Sequence, residues 1–299
     1  MNASEHDQNA DDLNILLRRG LTPHRVALED FVAYEWEAGS NVLGTRNSAK
    51  RDSVALRWLT EAVQHGQDQK SALDIGCAYG IHLFRLNAML GKPQHIDMVG
   101  VDLFPDAIRW ANAFATTIPG FANCRFQIAD LSSGLPFEAD SFDAVNFCDV
   151  LEHMVDPEAA LKEIARITKP GGALVVSTPL RDSIFKRIAE RGNRALGGRL
   201  YRLYYSGKGA ALDESGRPIM WTAVGHDHVS EMTLPELKAL CGETGWAIED
   251  IELMPIMSGS RWFDRHAVLL AALVLLEGLH EKLRRPGWAH SVMLRLRKI

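Results

Sequence analysis

Hydrophobic residues along this chain switch between two periods. Between residues 24 and 66 they recur at helical spacing, with Leu28, Phe31, Val32 and Trp36, then Val54, Leu56, Leu59 and Val63. The polar break Gly39-Ser40-Asn41 separates two expected helices. From residue 71 the pattern changes to short apolar runs alternating with amphipathic stretches. Runs at 72–75, 97–102, 125–129, 142–147 and 173–177 read as strands buried on both faces. A helix over 81–90 places Leu83, Leu86 and Leu90 on one side and stops at Gly91. A second helix is expected over 107–117. A third starts at Asp156-Pro157, buries Ala160, Leu161, Ile164 and Ala165, and ends at Lys169-Pro170-Gly171-Gly172. This alternation predicts right-handed βαβ units and a doubly wound parallel sheet.

After Pro179 the alternation stops. Residues 181–230 form a basic, aromatic insertion; 234–243 reads as a helix and 247–254 as a strand. An apolar helix follows over 262–286, and 291–298 alternates like a final strand. Residues 1–12 read as disordered. The expected organisation is a disordered tip and helical lid over 1–68, then a catalytic domain over 69–299 carrying the 181–230 and 262–286 insertions.

Composition narrows the function classes. Hydrophobic residues make up 46% and charged residues 24%, enough to build a core in a chain of this length. The net charge of −5 argues against a nucleic-acid partner, which needs a basic face. Cys77, Cys124, Cys148 and Cys241 are scattered, so neither a zinc site nor a disulfide framework is expected, and a reducing cytoplasm fits. The polar start MNASEHDQNADD does not read as a signal peptide. The run AVLLAALVLL over 267–276 is half the roughly 20 residues a span needs. A buried or oligomer-interface helix is the simpler expectation, and a helix lying on a bilayer is the other.

The segment LDIGCAYG over 73–80 carries the chemistry: a strand, a glycine turn, then a helix. Gly76 and Gly80 let a backbone approach a ligand, and Asp74 can order the turn and face a cationic amine. The dinucleotide pattern G-x-G-x-x-G fails at Ala78 and Ile81, and no phosphate-binding P-loop occurs, so NAD is not expected to bind. Asp102 ends the next strand, 22 residues beyond Gly80, where an acid suits two ribose hydroxyls. Ala129-Asp130 ends the third strand and is placed for an adenine edge. Three acids at successive strand ends, in this order, make a stronger signal than any one alone.

The words LDIGCAYG, VGVDLFPDAI, FQIADLSSGLPF, SFDAVNFCDVLEHMVDP and ARITKPGGALVVSTP occur in order from Asp74 to Pro179. On these the chain resembles a class I S-adenosylmethionine-dependent methyltransferase, similar to the broad group containing the ubiquinone-pathway O-methyltransferases. The resemblance implies a mostly parallel, seven-stranded Rossmann-like sheet with helical lid insertions and an antiparallel last strand. It implies a donor site in which Asp74, Gly76 and Gly80 hold the methionine part and Asp102 binds the ribose. Asp130 with Leu131 binds the adenine, and Cys77, Ala78, Leu103, Ala129 and Cys148 are further donor-binding candidates. Ala78 departs from the family, where glycine is more usual.

Asp149, Glu152 and His153 follow the fourth strand. At i, i+3 and i+4 they share one face if the turn is helical. His153 can be a general base for an acceptor hydroxyl, or all three can hold a divalent cation. The third possibility is a packed, structural histidine. His226 and His228 are alternative bases, or a more distant extra ligand. The 181–205 stretch mixes arginines with an apolar stripe, which suits an anionic amphiphile, a membrane surface or a solvated lid. The reading is O-methylation of a small-molecule or lipid/glycan-type acceptor. C- or N-methylation and a catalytically silent donor-binding subunit are the alternatives. The missing N/D-P-P-Y/F tetrapeptide argues against amino-group methylation of nucleic acids.

Overall fold

The computed structural model describes residues 42–64, 69–91, 93, 95–117, 119–199, 228–257 and 261–299. The expected tip, the helix with Phe31 and Trp36, His226 and most of the aromatic insertion lie outside them.

Helix α1 spans Val42–Gln64. Then β1 (Lys70–Ile75), α2 (Ile81–Met89), β2 (Ile96–Asp102), α3 (Pro105–Thr117) and β3 (Cys124–Ile128) follow. Next come β4 (Phe142–Cys148), α4 (Pro157–Ile167), β5 (Thr168–Pro179) and α5 (Ile184–Ala195). The chain ends with α6 (Leu234–Glu243), β6 (Trp246–Leu253), α7 (Ala267–Leu283) and β7 (Ser291–Lys298). The strands form one seven-stranded sheet in the order β3-β2-β1-β4-β5-β7-β6. Pairing is parallel from β3 to β5, and β7 is antiparallel to both neighbours. Strand order reverses between β1 and β4, which puts a crevice at their carboxyl ends.

The period of two in each strand splits the core. Leu73, Ile75, Val99, Val101, Val145, Phe147 and Leu174 face Leu161 and Ile164 of α4 and Leu237 of α6. Ala72, Met98, Ala144 and Val175 face the other way, onto Trp58 and Leu59 of α1 and Phe84 of α2. The described part of the expected N-terminal lid is therefore a layer of the core. Local signals set the helix starts. Asp156 caps α4 by accepting the Ala159 N–H, with Pro157 in the first turn. Thr233 and Glu236 form a reciprocal capping box on α6.

Two elements differ from expectation. Strand β5 starts at Thr168, not at residue 173: Thr168 still pairs with Phe142, and a register shift between Phe142 and Ala144 absorbs Pro170-Gly171-Gly172. The apolar helix over 267–276 is real but not buried, since none of its leucines and valines is buried and Val268, Leu269 and Leu275 are exposed. Among the described residues no helix is long and apolar enough to cross a membrane.

Candidate active site

The glycine turn after β1 is held by its neighbours. The Gly76 and Cys77 N–H groups donate to the Val101 carbonyl at 2.9 and 3.0 Å. Gly76 and Gly80 both lie at positive φ, 73° and 78°, where glycine is unstrained. A Cβ on Gly76 would collide with Val150, and one on Gly80 with the Phe126 ring. The glycines thus answer to packing within the protein as well as to any ligand. Val150 seats the turn after β4 directly against the turn after β1, so the two halves of the expected site adjoin.

Asp74 is 1% exposed. One of its oxygens accepts the Asn146 amide at 2.7 Å, while the other has no hydrogen-bond partner. Burial raises its carboxyl pKa, and the Asp102 charge adds to the rise. A buried, half-satisfied carboxylate is costly, and an ammonium group would complete it. The residues therefore fit the amino-acid end of the expected donor. His82 lies 3.9 Å from Asp74 and 3.4 Å from Asp52. Burial disfavours its charged form, but the Asp52 hydrogen bond and the charges of Asp74 and Asp52 outweigh that and raise its pKa.

A group with a raised folded pKa gives its full stabilisation below its unfolded value, about 6.5. That stabilisation is lost as pH rises through the folded value. His82→Gln should therefore flatten the fall in stability that the wild type shows above pH 6.5, a fall of at most ~1.4 kcal/mol per pH unit. Urea melts of both proteins at several pH values between 6 and 9 check this. Parallel curves would remove His82 as the proton-linked group.

Asp102 accepts the Ala78 N–H at 2.7 Å and the Phe104 N–H at 2.9 Å. Each oxygen keeps a lone pair for a hydroxyl. Leu103 beside it is exposed. Ala78 sits at φ 44°, a left-handed conformation that costs an L-residue about 1–2 kcal/mol. This is a physical reason for a glycine preference there. Ala78→Gly should raise the melting temperature by about 2 °C after the unfolded-state entropy of glycine is subtracted. A lowered melting temperature would show that the methyl group packs usefully.

Asp130 accepts from the Ser132 N–H and the Ser133 hydroxyl, capping the single turn Leu131–Ser133. It shapes the turn in which Leu131 is buried and Ala129 half-buried. Cys77 is buried and its thiol pKa is pushed well up by burial and the Asp74 charge. The Cys148 thiol lies 3.1 Å from Asn146 Oδ1, and burial, then the Asp149 charge, pushes its pKa well up, so neither cysteine is poised as a thiolate.

The acceptor side departs from the sequence grouping. Leu151–His153 is one tight turn, and Asp149 before it has φ 56°, so the three residues do not share a helical face. Asp149 points elsewhere: it pairs with Arg51 of α1 and accepts the Ser177 hydroxyl at 2.5 Å. The structure instead gathers Glu152, His153 and His228, whose ligand atoms all lie within 4.8 Å of one another. His228 is no distant addition; its ring meets the His153 ring edge-on at 5.1 Å. The Val229 and Ser230 N–H groups donate to the Glu152 carbonyl, which ties the two segments together. Burial, then the Asp149 charge, pushes the Glu152 carboxyl up to about 8. His228 is held by Glu231 at 2.8 Å, and Glu231 also pairs with Lys186 of α5.

Sequence reasoning missed the supporting groups. Asn146, Ser177 and Thr178 are polar residues inside apolar strands, which is a readable signal. His290 had none. Burial, then the Lys186 charge, lowers its pKa to about 4, and Glu231, His228 and Asp149 also act on it.

A family model described as a methyltransferase domain matches residues 48–251, more than half of the chain. Ubiquinone biosynthesis O-methyltransferases of Xanthomonas campestris and Xanthomonas oryzae are 30% and 35% identical over 161 residues. Those alignments cover 52% of this chain and 61% of the relatives. An uncharacterized 37.1 kDa protein in transposon TN4556 of Streptomyces fradiae is 31% identical over 115 residues, 38% of this chain and 32% of that protein. The chain thus spans less than two thirds of these relatives' length. A putative sarcosine dimethylglycine methyltransferase from Galdieria sulphuraria shares the fold at TM-score 0.55 and 16% identity, covering 85% of this chain and 86% of its own. The [4+2]-cyclase SpnF shares it at TM-score 0.51 and 19% identity, covering 83% and 81%. A cyclase on this scaffold shows that the fold alone does not fix the reaction. The family match and the glycine turn at the sheet's reversal point agree: this chain belongs to the class I S-adenosylmethionine-dependent methyltransferases.

Proposed function

We propose that the chain transfers the methyl group of S-adenosylmethionine to an oxygen of a small or amphiphilic acceptor. The carrying observation is the contact of Val150 with Gly76, which sets the Glu152–His153–His228 cluster beside the donor turn. The identity to ubiquinone biosynthesis O-methyltransferases supports oxygen as the methylated atom. The donor supplies a methyl group on a sulfonium, already activated. The protein's task is alignment, which can supply about 7–11 kcal/mol. The free oxygen of Asp74 binds the donor's ammonium, and Asp102 orients its ribose. Leu131 and Ala129 border the adenine. His153 takes the acceptor's hydroxyl proton on a ring nitrogen, with His228 and Glu152 fixing the ring.

The same three residues support a second reading, a divalent cation that lowers the acceptor's pKa. The 4.8 Å grouping favours it. A carboxylate ligand must be ionised, so the ion would have to displace the Glu152 proton.

Calorimetric titration with S-adenosylhomocysteine, followed by transfer of a labelled methyl group to a panel of phenolic and lipid-linked hydroxyl compounds, tests the reading. Donor binding and label on oxygen are expected. Label on carbon or nitrogen moves the reading to those atoms. Tight donor binding with no transfer to any hydroxyl favours the silent subunit. Saturable micromolar NAD binding in the same titration would overturn the donor.

A further inference from the structure

Helix α7 is built inside out. Its inward face carries polar groups: Glu277 accepts the Ile256 N–H at 3.1 Å, and His280 lies 3.1 Å from the Met254 carbonyl. Both side chains are buried. These bonds fix the helix's rotation and turn Val268, Ala272, Leu275, Leu279 and Leu283 outward, at i, i+4, i+7, i+11 and i+15. Val268 is 87% and Leu275 75% exposed. The 17 residues make a strip about 25 Å long. All of it lies beyond the residues the family model matches.

Basic groups frame the strip. Arg265 stands exposed at its start, and Lys282 and Arg285 at its end, beside Arg284, which pairs with Glu252; Glu281 is the exposed acid among them. Trp288, just past the end, packs edge-on against Phe185 of α5 at 5.9 Å and stacks on His280 at 6.4 Å. Helix α5 thereby adjoins α7. Its exposed residues are Ile184, Arg187, Ile188, Arg191, Arg194 and Ala195, which fall on one arc of the helix with no acid among them.

We propose that α7 and α5 together dock on the surface of an anionic lipid bilayer. Apolar residues framed by arginine and lysine are the pattern of a helix lying in the interface plane. The chain is net −5, so this positive apolar surface is a local feature. Charge also disfavours a second copy as the cover. Antiparallel pairing of two α7 strips would set Arg265 against Lys282 and Arg285 with Glu281 as the one exposed acid at that end, and would leave the α5 arginines unmatched. The inward Lys186 of α5 pairs with Glu231, which holds His228. A docked bilayer would therefore lie beside the acceptor cluster; that last step rests on the proposed function, and the docking itself does not.

The full chain is floated with vesicles of phosphatidylcholine alone and of equal parts phosphatidylcholine and phosphatidylglycerol, in low and in high salt. Binding to the anionic vesicles alone, weakened at least tenfold by high salt, is expected. L275E/L279E should abolish it. R187A/R191A/R194A should lower partitioning roughly 100-fold, at about fivefold per arginine. All these positions are exposed, so unchanged melting curves and S-adenosylhomocysteine affinity verify the fold. Absence of wild-type binding, or binding untouched by L275E/L279E, overturns the proposal. A dimer in sedimentation that L275E/L279E dissociates, without vesicle binding, assigns the strip to a second copy. Loss of docking with donor binding intact leaves the proposed function standing.

Discussion

Asp102→Ala should weaken S-adenosylhomocysteine binding by roughly 10- to 100-fold. A charge-assisted pair with the ribose hydroxyls is worth about 1.5–3 kcal/mol. The effect has a second source. Asp102 accepts the Ala78 and Phe104 N–H groups, so its loss frees the turn that Ala78 already strains. Each amide left without a partner costs about 1–3 kcal/mol if it stays buried. The variant should therefore also melt earlier without ligand. Asp102→Asn separates the two sources, since its carbonyl oxygen still accepts one amide while the charge is gone. Calorimetry on all three proteins, with ligand-free melting curves alongside, is the measurement. Unchanged affinity in Asp102→Ala would refute the strand-end assignment of the donor ribose.

The sheet was legible because parallel strands covered on both faces leave short apolar runs, and each run between residues 72 and 177 became a strand. The start of β5 was not. Pro170-Gly171-Gly172 signals a turn locally, and only the pairing of Thr168 with Phe142 carries the ladder through it. The orientation of α7 was equally hidden. Its apolar run goes nearly all the way round the helix, and Glu277 and His280 look like a solvated tail. Only their partners at Met254 and Ile256 show that they point inward.

The positions of the donor-side residues in the fold were legible, since strand ends and glycines have fixed places in a doubly wound sheet. The acceptor side was not, because its grouping depends on backbone angles and on distant segments. A helical turn would have aligned Asp149 with Glu152 and His153. The left-handed φ of Asp149 sends its carboxylate to Arg51, 98 residues earlier, and to Ser177. His228 takes its place, from a segment 75 residues beyond His153 that spacing cannot connect.

His153→Ala should lower kcat by about 10²–10⁴-fold and change S-adenosylhomocysteine affinity less than threefold. A base acts only in the transition state, so its loss falls on turnover and spares donor binding. The regrouped cluster separates base from metal. If His153 is a base, His228→Ala and Glu152→Gln have smaller effects, because they only fix its ring. Chelator then changes nothing. If the cluster holds a cation, all three substitutions match one another, and chelator reproduces them in the wild type. Cation binding, and not turnover of the loaded form, should then strengthen as pH approaches 8, because below that the ion must displace the Glu152 proton. Asp149→Ala distinguishes further. Its carboxylate lies with Arg51 and Ser177 rather than in the cluster, so it should leave chelator sensitivity unchanged. Full turnover in His153→Ala would defeat both versions and leave the histidine as a packed wall of the acceptor site.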